Sequence, residues 1–86
     1  MFSYRGKKVL IAGGASGIGA ATVKAFRDAG AEVMVFDIAF KEAREEEGLL
    51  EFPVDLSDSV RLSAAYAMLK ERWGTLDVLV NNAGIE

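Results

Sequence analysis

Two apolar runs without polar alternation, Val9-Leu10-Ile11-Ala12 and Val33-Met34-Val35-Phe36, constrain this chain more than any other feature. A strand with one wet face alternates apolar and polar residues. A continuous run marks a strand covered on both faces, as in a parallel sheet flanked by helices. Neither run approaches the roughly 20 residues needed to cross a bilayer. Between the runs the period changes: from Ser16 to Ala29 the residues Ile18, Ala21, Thr22, Ala25, Phe26 and Ala29 share one helical stripe. Gly30 follows where a helix end calls for a left-handed residue.

The pattern then repeats. Leu49 to Val54 reads as a third strand, and Pro53 inside it cannot donate to a ladder, which predicts a sheet edge. Ser57 or Asp58 caps a long helix running to Trp73 and closed by Gly74. Leu76 to Val80 is a fourth strand, followed at once by Asn81-Asn82-Ala83-Gly84. Lys41 to Glu47, with three consecutive glutamates, reads as a short exposed helix, because a charge run is usually a solvated face. The order is βαβαβαβ. Right-handed crossovers then give an α/β fold with a parallel sheet of four strands in order 3-2-1-4. The chain reverses direction between strands 1 and 4, and ligands of open α/β sheets bind at such a switch point.

Composition narrows the chemistry. The 86 residues make one domain, 1–86, without repeat or linker. The absence of Cys and His removes disulfides, thiol nucleophiles, histidine bases and the common zinc sites, so no metal is expected. A net charge of −3 leaves no basic surface for nucleic acid. The amino terminus lacks the apolar stretch of a signal peptide, and we expect a soluble cytoplasmic protein that contacts no membrane.

Gly13-Gly14-Ala15-Ser16-Gly17-Ile18-Gly19 joins the first strand to its helix. Glycines let a backbone turn sharply and let ligand oxygens approach it, and a helix amino terminus offers free amides to an anion. Alone, the loop has a competing reading, a tight β–α turn that binds no ligand. Asp37 ends the second strand about 20 residues on, where a carboxylate accepts the hydroxyls of an adenosine ribose and repels a 2′-phosphate. Neither Ala15 nor Ser16 offers a cation for that phosphate, so NAD is favoured over NADP. The competing reading of Asp37 is an ordinary turn residue. Asp55 either meets the adenine amino group or begins the turn into Ser57.

Gly13-x-x-x-Gly17-x-Gly19, Asp37, Asp55-Leu56 and Leu79-Val80-Asn81-Asn82-Ala83-Gly84, in this order, resemble the short-chain dehydrogenase/reductase family. The resemblance covers essentially the whole chain but only the family's amino-terminal, cofactor-binding part, a half-Rossmann unit. It implies that Gly13, Ser16, Gly17, Ile18 and Gly19 hold the pyrophosphate and nearby ribose, Asp37 the adenosine ribose, and Asp55 with Leu56 the adenine. It places Asn82, Ala83 and Gly84 beside the cofactor near the nicotinamide-side ribose. The family's usual Thr before the first glycine is Ala12 here, without the hydroxyl that ties this loop to the strand-4 turn. The family's catalytic Ser and Tyr-x-x-x-Lys follow the Asn-Asn-Ala-Gly segment and are not in this sequence. Tyr66 and Lys70 have the same spacing but precede that segment, and we read the match as coincidence.

The third helix carries two apolar stripes: Leu62, Tyr66, Leu69 and Trp73, and nearly opposite them Val60, Ala64, Ala67 and Met68. The second stripe and the open edge of strand 4 predict self-association, most simply a two-fold dimer, or pairing with a missing carboxyl-terminal half. The expectation is an NAD-binding module, specific for the adenosine diphosphate portion and without catalytic residues of its own. The alternatives are a structural fragment that binds no nucleotide and one half of a split oxidoreductase.

Overall fold

A computed structural model describes residues 3–82. The elements are β1 (Lys8–Ala12), α1 (Gly17–Asp28), β2 (Glu32–Phe36), β3 (Arg44–Glu46), β4 (Leu49–Phe52), α2 (Ser59–Trp73) and β5 (Val78–Asn81). They form one sheet in the order β3-β4-β2-β1-β5, parallel except for β3. The expected four-strand order is present as β4-β2-β1-β5, with one strand added outside it.

The two apolar runs explain the layers. Val9, Leu10, Ile11, Val33, Met34, Val35 and Phe36 are all fully buried. Because side chains alternate along a strand, Val9, Ile11, Val33 and Val35 pack with Val23 and Phe26 of α1, while Leu10, Met34 and Phe36 pack with Ala65 and Leu69 of α2. Each helix therefore covers one face.

Both helices end on glycine. After α1, Ala31 N–H donates to Phe26 O (3.0 Å) and Gly30 N–H to Arg27 O (2.9 Å), with Gly30 at φ 96°. This pair of bonds is the Schellman closure that the left-handed residue makes possible. Asp58 is the N-cap of α2: its Oδ1 accepts from Val60 N (3.0 Å) and Arg61 N (3.2 Å). Gly74, at φ 72°, closes that helix.

Four expectations need correction. The segment read as a helix from Lys41 to Glu47 contains β3, which pairs antiparallel with β4 across the turn Glu47-Gly48, where Gly48 supplies φ 79°. Its glutamates are not merely solvated: alternation sends Glu45 to the α2 side, where it meets Arg72 (2.5 Å), and Glu46 to the α1 side, where it meets Arg27 (3.5 Å). Consequently β4 is not an edge. Pro53 does not lie in the ladder, because the strand stops at Phe52 just before it.

The α1 stripe is also rotated. Ile18 is 66% exposed, and Val23 takes the inward position beside Phe26. On α2 the sheet-facing side centres on Leu62, Ala65 and Leu69, with Met68 joining it. Val60 is exposed, as are Ala64 and Ala67. Among the described residues no helix is long and apolar enough to cross a membrane.

Candidate functional site

The register of the three central strands places Ala12 beside both Phe36 and Asn81. Gly13, Asp37 and Asn82 therefore leave the sheet at one level. Gly13 N–H donates to Phe36 O (2.7 Å) and Asn82 N–H to Ala12 O (2.8 Å), so the three strand ends are stitched together by backbone.

The glycines do different work. Gly13 turns the chain at φ 85°. Gly19 is buried at the start of α1, where an added Cβ would lie 2.0 Å from Gly13 O and 2.8 Å from Gly14 Cα. Only glycine lets the helix sit this close to the loop. At Gly17, φ is 59° and a Cβ would meet nothing within 4 Å, so its surroundings are open. Ser16 occupies the N-cap of α1, yet its side chain makes no capping bond, and the first turn carries no acid. The positive end of the helix dipole thus meets neither a side-chain cap nor an acid of its own first turn.

Asp37 Oδ2 accepts from Ala15 N–H (2.9 Å) and Oδ1 from Ala39 N–H (2.9 Å). Asp55 Oδ1 accepts from the Ser57 hydroxyl (2.6 Å) and the Ser57 amide (3.0 Å). The hydroxyl first, then the amide, hold the Asp55 carboxyl below its ordinary 3.8, and Arg61 adds to the effect. Here the turn-forming reading of Asp55 has direct geometry.

A cleft of about 190 Å³ at this end of the sheet is lined by Gly13, Asp37, Ile38, Val54, Asp55, Leu56 and Ser57. It brings together four of the residues singled out from sequence, Gly13, Asp37, Asp55 and Leu56. Ser16, Gly17, Ile18, Gly19 and Asn82 do not line it. Asn82 is nine-tenths buried, and its Nδ2 has no hydrogen-bond partner among the described residues. Ala83 and Gly84 lie outside the described residues.

Larger hollows surround it. One of about 570 Å³ runs from Gly14 and Ala15 along α1 to Lys24 and Arg27, one of about 440 Å³ lies beside Pro53, Val54 and Val60, and one of about 290 Å³ lies at the amino ends of the strands beside Lys8 and Trp73. Their cations are already engaged, Lys24 with Asp28, Arg27 with Glu46 and Lys8 with Glu32. The smaller cleft lies at the carboxyl ends of β1, β2 and β4, where loops from three strands converge.

Sequence reasoning missed Gly14, Ala15, Ile38 and Val54. A Cβ on Gly14 would lie 2.5 Å from Val35 Cγ1, so the second glycine of the Gly-Gly pair is a packing requirement. Ala15 acts through its amide, which no side chain advertises. Tyr66 does not line the cleft; its ring stands edge-on to Phe36 at 6.1 Å. Among the described residues no group of three or more acidic side chains is placed to hold a metal.

Comparison with known proteins agrees with this geometry. The short chain dehydrogenase family matches residues 7–86. The chain is 41% identical over 88 residues to the short chain dehydrogenase/reductase dpchG of Colletotrichum higginsianum, covering 93% of this chain and 33% of that protein. It is 42% identical over 85 residues to L-fucose dehydrogenase of Mus musculus, covering 94% and 31%. It thus spans about one third of the length of these relatives.

Among solved structures, a short-chain dehydrogenase/reductase from Serratia marcescens superposes with a TM-score of 0.81 at 36% identity, covering 94% of this chain and 37% of that one. ElxO with NADP bound gives 0.80 at 30% identity, with 93% and 36% covered. A Leptospira borgpetersenii enzyme with bound NAD+ gives 0.80 over 92% and 32% at 21% identity, a likeness of fold alone. The glycine loop on the first strand, the acid on the second and a family match over nearly the whole length lead to one conclusion: this chain belongs to the short-chain dehydrogenase family, whose members bind nicotinamide cofactors.

Proposed function

We propose that the chain binds the adenosine diphosphate portion of a nicotinamide dinucleotide, NAD in preference to NADP. The observation that carries this reading is the convergence of Gly13, Asp37, Asp55 and Leu56 on one cleft beside the uncapped start of α1. The residues present fit such a group. Open space at Gly17 and free amides at the start of α1 suit a pyrophosphate. Asp37 suits the ribose hydroxyls, and the apolar sides of Ile38, Val54 and Leu56 suit the faces of adenine. The buried Nδ2 of Asn82, without a partner among the described residues, suits an acceptor on the nicotinamide-side ribose.

The preference for NAD rests on charge. Asp37 is anionic, and the residues lining the cleft include no Lys or Arg to offset a 2′-phosphate. A bound nicotinamide ring supplies hydride donor or acceptor chemistry. These 86 residues contribute binding and orientation to it. Protonating or deprotonating a substrate oxygen needs a positioned acid, and we assign that role to none of the side chains that line this cleft.

The test is calorimetric titration of ADP-ribose, NAD and NADP into the chain and its Asp37→Ala variant. We expect saturable binding of the first two, weaker binding of NADP, and a loss of about tenfold or more in affinity for ADP-ribose in the variant, the scale of a lost charged hydrogen bond. Equal affinities for wild type and variant, or no binding by folded protein, would reject the reading.

A further inference from the structure

Asp37 is more heavily engaged than a ribose-binding carboxylate needs to be. Its Oδ2 reaches back 22 residues to the amide of Ala15 in the glycine loop, and its Oδ1 takes the amide of Ala39. Its own backbone is fixed as well: N–H donates to Phe52 O (3.2 Å), while its carbonyl accepts from Phe40 (3.3 Å) and Val54 (3.4 Å). The residue is thus a rigid post joining the ends of β2 and β4, and the one side-chain bond to Ala15 ties the glycine loop to that post.

We infer that Asp37 is a positioning residue, a latch that holds the glycine loop in its working shape before any ligand arrives. A loop of glycines gains much conformational freedom when released, and a bond from an amide to an ionised carboxylate is among the stronger restraints. Each carboxylate oxygen keeps a second acceptor position, so the two hydroxyls of a ribose bind without opening the latch. This ligand half of the inference rests on the function proposed above; the latch itself does not. One consequence is that replacing Asp37 to change cofactor preference loosens the phosphate loop at the same time.

Amide hydrogen exchange, read by NMR on the full chain without nucleotide, tests the latch. In Asp37→Ala the protection of Ala15 falls about tenfold or more, while Gly13, whose amide is held by Phe36 O, changes less than about twofold. In the isosteric Asp37→Asn one oxygen faces two amide donors, so protection falls at Ala15 or at Ala39 but not at both. If Asp37→Ala does not fold, the Asn variant decides. Unchanged protection at Ala15 and Ala39, or an equal fall at Ala15 and Gly13, would overturn the latch. Failure of ADP-ribose to bind wild type with the latch intact would instead sink the nucleotide reading alone.

Discussion

Gly19→Ala probes the contact that shapes the loop. The new methyl would sit 2.0 Å from Gly13 O and 2.8 Å from Gly14 Cα, both backbone atoms that have no rotamer to change. For ordinary contact to return, α1 has to back away from the loop by about 1 Å or more. Such a strain lies at the top of the roughly 1–3 kcal/mol typical of overpacking. Alanine's better helix propensity returns about 1 kcal/mol, leaving a net loss of about 2 kcal/mol. Gly17→Ala is the matched control. It meets no atom within 4 Å and suffers only its left-handed φ, a cost of about 1 kcal/mol. In urea unfolding, a domain of this size has a slope near 1 kcal/mol per molar. The midpoint should therefore fall by about 2 M for Gly19→Ala and about 1 M or less for Gly17→Ala. If Gly19→Ala is as stable as Gly17→Ala, the close approach of helix and loop is not as described.

Three further outcomes are expected. Asp58→Ala removes the cap of α2 and lowers stability by about 1 kcal/mol, measured by the same unfolding assay. Ser57→Ala raises the Asp55 carboxyl toward its ordinary 3.8, followed by NMR titration of the side chain. Because the folded value is the depressed one, the stabilisation from Asp55 is complete above 3.8 and is lost as pH falls through the folded value. The variant therefore loses less stability on acidification than the wild type does. Finally, we propose that the chain self-associates through the β5 edge, where Leu79 is 52% exposed. Leu79→Lys should shift sedimentation at micromolar concentration toward monomer, and a wild type already monomeric there would end that proposal.

Much of the fold was legible because fully buried strands leave an unambiguous mark: Val9 to Ala12 and Val33 to Phe36 needed no alternation once both faces were covered. Gly30 and Gly74 marked helix ends for the same reason, a backbone conformation other residues resist. Glu45 to Glu47 misled because composition alone does not distinguish a solvated helix from a strand whose acids meet arginines brought by tertiary structure. Pro53 was correctly a ladder breaker, yet the edge it predicted had been covered by a hairpin turning at Gly48. The rotation of α1 was hidden because Ile18 and Val23 are both apolar, so composition alone does not distinguish the exposed one from the one that packs on the sheet. In the site, Asp37 and Asp55 were visible as side chains. The part played by Ala15 was not, because it is carried by an amide common to nearly every residue.

The most direct test of the central claim is to map ADP-ribose onto the chain by NMR amide shifts. Saturable changes are expected at Gly13 to Gly19, at Asp37 and Ile38, and at Asp55 to Ser57, with Lys8, Glu32 and Arg72 at the opposite end of the sheet unmoved. Shifts centred on Lys8, Glu32 and Arg72, or no saturable shift in folded protein, would contradict it.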